Sequence, residues 1–153
     1  MSKQPDMGLI RNISSFMRRP SAVRLLCLQA GLVSTIVWLA MTLLPFRWWG
    51  RWQGEVRTST PEVPDPSTLA YRRNLSLALS MAARHLPVLK RCYIRALTGK
   101  ILLARKGIPG TLYIGFRTFD DGRFEGHAWL RAHDTWITGA ERRQEFSVHG
   151  IYS

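Results

Sequence analysis

The sequence predicts an α+β fold: an N-terminal apolar helix, then a small domain in which helices pack on an antiparallel meander. Three observations carry this. The 20 residues from Leu25 to Leu44 contain no charge. Two later segments, within 66–107, space their apolar residues at the helical period. Beyond them the period shortens to two, in runs separated by turn signals such as Asp121-Gly122.

A chain of 153 residues allows one domain with a modest core. Its 46% apolar content excludes a disordered polymer. The formal net charge of +12 calls for an anionic partner: nucleic acid, an acidic membrane surface or an acidic peptide. No basic-aromatic recognition motif supports nucleic acid, because Trp38, Trp48, Trp49 and Trp52 belong to the apolar segment and its border. No nucleic-acid partner is therefore expected.

Residues 1–24 form a basic tail, with Lys3, Arg11, Arg18, Arg19 and Arg24 against Asp6 alone. Residues 25–52 are an apolar helix followed by the Trp/Arg flank "PFRWWGRW". The apolar run is long enough to cross a bilayer. It fits three readings: a span, a surface-bound helix, or a buried helix of a soluble protein. Arginines at both ends leave the orientation of a span undecided. Residues 53–65 are a linker rich in proline and small polar residues.

The remaining segment, 66–153, is the main domain. Asp65-Pro66-Ser67 can cap a helix that Pro87 ends. A second helix fits "RCYIRALTGKILLARKG", with Gly107 as its stop. Cys92 falls in its first turn, on a face with Ala96 and Gly99 where another backbone can approach. Strands fit "TLYIGFRT", "RFEGHAWLRA" and "TWIT". A two-residue turn at Asp121-Gly122 pairs Phe116 with His127. It places Leu112, Ile114, Phe116, His127 and Trp129 on one helix-facing side, with Phe116 and Trp129 beside the imidazole.

Cys27 and Cys92 form no CxxC pair, and His85, His127, His133 and His149 lack metal-ligand spacing. No metal and no cofactor are expected, and a reducing, cytoplasmic compartment is the simpler reading. Cys92 at a helix start, after Lys90 and Arg91, is placed to favour thiolate over thiol. A histidine within reach would complete a nucleophile and base. The plainer alternatives are a small apolar cysteine and a core histidine with one hydrogen bond, and pattern alone leaves both open.

From residue 21 onward the chain resembles the leader peptidases of lasso-peptide biosynthesis, which are transglutaminase-like, papain-like cysteine hydrolases. The resemblance rests on "LLPFRWWGR", "AARHLP", "RCYIRALTGKILLARKGIPGTLYIGFRT" and "FEGHAWL", in that order. It implies a papain-like/transglutaminase-like domain with Cys92 as nucleophile and His127 as general base. The family's third member is an aspartate about twelve residues after the histidine, and here that position is Gly139. Two carboxylates are candidates for the orienting role. Glu141 lies almost opposite His127 in the inferred register, whereas Asp134 lies about 20 Å along the strand. Glu141 is the expected choice.

The resemblance also implies a function. A stand-alone peptidase would remove the leader of a ribosomally made precursor peptide. It would act with a separate leader-recognition protein and an asparagine-synthetase-like macrolactam cyclase, at a membrane surface if residues 25–52 bind one. The alternative is a catalytically weak or inactive domain of the same fold that binds the precursor or docks on a membrane. The missing aspartate favours that reading.

Overall fold

The computed structural model describes residues 17–56 and 59–153, so residues 1–16 of the basic tail lie outside the described residues. Helix α1 (Ser21–Leu43) is followed by a short helix α2 (Phe46–Trp49) and a 3₁₀ turn at Gly50–Gln53. Pro45 ends α1, because a residue before proline is driven out of the helical region; Leu44 is extended, with ψ 147°. The chain then runs without regular structure from 59 to Asp65, crossing the sheet. There Thr60 N–H donates to Thr111 Oγ1 at 2.9 Å.

Helix α3 (Pro66–His85) starts where the sequence indicates. Asp65 accepts from Ser67 N–H at 3.0 Å, and Pro66 takes the first turn. A 3₁₀ turn at Pro87–Lys90 leads into α4 (Cys92–Ala104). The end of α4 is closed by Ile108 N–H donating to Leu103 O at 3.0 Å, with Gly107 at φ 68°. A left-handed glycine just after the last turn is what such a closure needs.

Strands β1 (Thr111–Thr118), β2 (Phe124–Ala132), β3 (Thr135–Thr138) and β4 (Ser147–Tyr152) form one sheet in the order β3-β2-β1-β4. Every neighbouring pair is antiparallel. The helices share one core with the sheet: Val33, Leu75, Leu79, Leu97, Leu103 and Leu130 are all in it. Gly99 permits the close approach expected on the small-residue face of α4. A Cβ there would meet Leu130 at 2.8 Å and Leu79 at 3.0 Å.

Two expectations are corrected. The sheet has a fourth strand, β4, on the outer side of β1. The β1–β2 turn is also longer than Asp121-Gly122. Phe119 N–H donates to Arg123 O and Gly122 N–H to Phe119 O, both at 2.9 Å, with Gly122 at φ 79°. This is a three-residue loop, Asp120 to Gly122, ending in a left-handed glycine. It moves the register by one, so Gly115 rather than Phe116 faces His127. A slip of one flips every side chain of β2 relative to β1. Leu112, Ala128 and Leu130 turn to the helices, while Tyr113, His127 and Trp129 share the opposite face.

Candidate active site

His127 and Cys92 meet although the inferred face was wrong, and the end of β3 explains why. β3 pairs with β2 only at Leu130, Arg131 and Ala132. Below that point the edge of β2 has no strand beside it. The first turn of α4 occupies this edge. Cys92 Sγ lies 4.0 Å from Gly126 O, and the neighbouring Ala128 N–H lowers its pKa. An edge can be reached from either face of a sheet, so the flipped His127 still interacts with the thiol, each shifting the other's pKa.

The imidazole is 8% exposed and held on three sides. Trp129 stacks on it at 5.7 Å between ring centroids and Phe146 at 4.9 Å. Phe116, expected as a flanking ring, packs instead on Phe124 and His149, as the register shift requires. His127 Nε2 lies 2.9 Å from Gly139 O. A carbonyl only accepts, so Nε2 carries the hydrogen. In the neutral ring that leaves Nδ1 without a hydrogen, free to accept one.

The electrostatics follow from these contacts. Burial raises the Cys92 pKa, but the side-chain interaction with His127 and the N–H groups of Ala128 and Tyr93 outweigh it, leaving it below the ordinary 9.0. For His127 the interaction with Cys92 is the largest effect and raises the pKa; burial opposes it, and the Gly139 carbonyl adds to the rise. Each shift favours the thiolate–imidazolium form of the pair. The first turn of α4 adds N–H groups without helical acceptors, and no side chain caps them. An oxyanion could form there.

The signs give a pH prediction. The depressed thiol contributes stability present above its unfolded pKa and lost as pH falls through the folded value. The raised imidazole contributes stability present below its unfolded pKa and lost as pH rises through its folded value. The ion pair is the main form at pH values above the lowered thiol pKa and below the raised imidazole pKa, and both shifts widen that window. Burial raises the Cys27 thiol pKa. Iodoacetamide should alkylate Cys92 before Cys27, with an inflection below the ordinary thiol range. In His127→Ala that inflection should move up. Peptide mass mapping across pH reads both, and equal profiles for the two cysteines would contradict the arrangement.

The orienting group is a correction to the sequence reading. Glu141 is exposed on the 3₁₀ turn Ala140–Glu145, beside Ser76, Ser80 and Arg95, and forms no hydrogen bond to His127. The site Glu141 would fill is taken by the Gly139 carbonyl. Asp134 is also committed elsewhere, in an ion pair with Arg72 at 2.7 Å. Glu125, Arg142, Glu145 and Arg117 form a linked set of ion pairs that ties β2 to this turn. They fix the segment that presents both Gly139 and Phe146. Charges in "AERRQEF" hinted at such a set, but nothing in the sequence marks a carbonyl as a ligand.

Gly139 does not favour an aspartate in this backbone. Its φ is 73°, and a Cβ would sit 2.6 Å from Ala128 O and 3.0 Å from Trp129 Cβ. Gly139→Asp should therefore lose about 1–3 kcal/mol from backbone strain alone, with the clash added. A lower urea midpoint is expected and no gain in Cys92 reactivity. A stable, more reactive variant would show that the turn can adapt to a carboxylate.

Among the described residues no group of three His, Cys, Asp or Glu side chains is placed to hold a metal ion. The family model described as the transglutaminase-like superfamily matches residues 40–149. No curated protein and no solved structure gives a significant match.

Proposed function

Because the chain belongs to the transglutaminase-like superfamily, we propose that it is a cysteine peptidase that removes the leader of a ribosomally made precursor during lasso-peptide maturation. The observation that carries the chemistry is Cys92, at the start of a helix, beside an imidazole whose far nitrogen is already held. The leader specificity rests on the motif order from "LLPFRWWGR" to "FEGHAWL".

In this reading the Cys92 thiolate attacks the scissile carbonyl carbon. The N–H groups at the start of α4 stabilise the oxyanion. His127 Nδ1–H gives its proton to the departing amine, and the C–N bond breaks to leave a thioester on Cys92. His127 then takes a proton from water, whose oxygen attacks the thioester, and the regenerated thiolate leaves. The Gly139 carbonyl keeps the ring in the working tautomer throughout. Arg91, next to Cys92, lines a groove of about 350 Å³ with Trp38, Leu86, Pro87 and Val88, which suits an apolar stretch of peptide near the nucleophile.

The assay combines the purified chain, the precursor and the separate recognition protein, with mass spectrometry of the products. One cut that releases an intact leader and a core with a free amino terminus is expected. Joining of the core to an added amine would instead indicate acyl transfer, which the same pair could perform. A second reading, a weak or inactive precursor-binding domain, is favoured by the neutral carbonyl at the place of a carboxylate. It would show as precursor binding without a cut.

A further inference from the structure

Helix α1 has two apolar faces, and among the described residues only one has a partner. Val23, Leu26, Ala30, Val33 and Val37 are buried in the shared core. On the other side Leu25, Leu28, Leu32, Ile36, Leu39 and Leu43 are between 41% and 72% exposed. Their spacing makes a continuous stripe about 27 Å long at helical rise. A helix on the surface of a soluble domain puts charges there; this one has none between Leu25 and Leu44. Its outward hydroxyls are turned inward. Thr35 donates to Gly31 O at 2.9 Å and Thr42 to Trp38 O at 2.8 Å.

The borders of the stripe are aromatic and cationic. Exposed Arg18 and Arg19 precede it. Exposed Phe46, Arg47, Trp48 and Arg51 follow it. Aromatic rings and arginines beside an apolar face are the composition that a membrane–water boundary favours. The net charge of +12 adds long-range attraction to anionic lipid. The segment matched by the family model begins at residue 40, so nearly all of α1 lies outside it.

We infer that α1 lies in the plane of an anionic bilayer surface, with the leucine stripe at the acyl–headgroup boundary and the flanking arginines on lipid phosphates. A transmembrane orientation would put lipid on all sides of the helix, whereas the inner face of α1 is core. A second copy is a poor occupant. Two stripes packed antiparallel bring Arg18 and Arg19 of one copy onto Arg47 and Arg51 of the other, like charge against like. This inference rests on α1 alone and is independent of the peptidase reading.

The test is sedimentation of the full chain with vesicles of phosphatidylcholine alone, and with added phosphatidylglycerol, at low and high salt. Binding is expected to need the anionic lipid and to weaken with salt. Leu28→Glu/Leu32→Glu alters two exposed side chains and should keep the circular dichroism spectrum. It should lower the bound fraction by about tenfold or more. Alkaline carbonate should release the bound protein. Brominated lipid should quench tryptophan emission. Each of three results overturns the inference: no sedimentation with anionic vesicles, binding unchanged in the double variant, or resistance to carbonate extraction. Dimers in place of vesicle binding would assign the stripe to a second copy.

Discussion

Cys92→Ala is expected to abolish precursor cleavage, by about four orders of magnitude or more, while leaving the fold unchanged. The expectation follows from where the sulfur sits. It lies at the uncovered edge of β2, near Gly126 O, with its charge supported by His127 and the Ala128 and Tyr93 N–H groups. Removing one sulfur from a partly exposed first turn leaves no large cavity, so the thermal midpoint should stay close to that of the parent. Cys27 is the control. Its thiol points at Ala78 O at 3.6 Å among the helices, and burial raises its pKa. Cys27→Ala should keep activity. His127→Ala should be inactive as well. Because Trp129 and Phe146 sandwich the ring, a stability measurement must accompany that variant. Normal cleavage by Cys92→Ala would refute the peptidase assignment, and normal cleavage by His127→Ala would leave His127 a core residue.

The legible parts of this chain are those set by local chemistry. Asp65-Pro66-Ser67 names a helix start because one carboxylate accepts from the backbone two residues on. Gly107 names a stop because few other residues adopt φ 68°. Cys92 and His127 could be paired because the site lies at a strand edge, where a register error costs nothing. The same error misplaced Phe116, since the flanking ring depends on the face. It arose because Asp121-Gly122 reads equally as a two-residue turn and as the end of a three-residue loop. β4 was missed because its first three residues are exposed, so "SVHGIY" carries no alternation of buried and exposed positions. The neighbour of His127 Nε2 was missed for a different reason. It is a main-chain oxygen, and what the sequence shows is the absence of an aspartate. The fate of the apolar run was undecidable by composition, because α1 is both core on one side and bare on the other.

Arg72→Met should cost about 1–3 kcal/mol of stability, because main-chain acceptors lose a donor while the Asp134 carboxylate, 43% exposed, keeps its water. Arg72 is 1% exposed, in the middle of α3. A charge so deep is tolerated only if its donors are used, and they are. Nη1 donates to Ala132 O at 3.0 Å and Asp134 Oδ1 at 2.7 Å, and also to Thr135 Oγ1. Nη2 donates to Asp65 O at 2.6 Å, and Nε to Thr68 Oγ1 at 3.2 Å. One guanidinium therefore joins the start of α3 to the β2–β3 turn. Methionine matches the stem but removes a donor from the buried Ala132 carbonyl and from the half-buried Asp65 carbonyl, a desolvation cost of about 1–3 kcal/mol. Loss of Arg72 should thus lower the urea midpoint, while alkylation of Cys92 in the folded fraction stays close to that of the parent, because the turn lies at the opposite end of β3 from the site. Arg123→Ala is the contrast: its ion pair with Asp121 joins groups 73% and 54% exposed, and no measurable shift is expected. An Arg72→Met variant with an unchanged urea midpoint would mean that water can replace the guanidinium, and that the β2–β3 turn is held by the sheet alone.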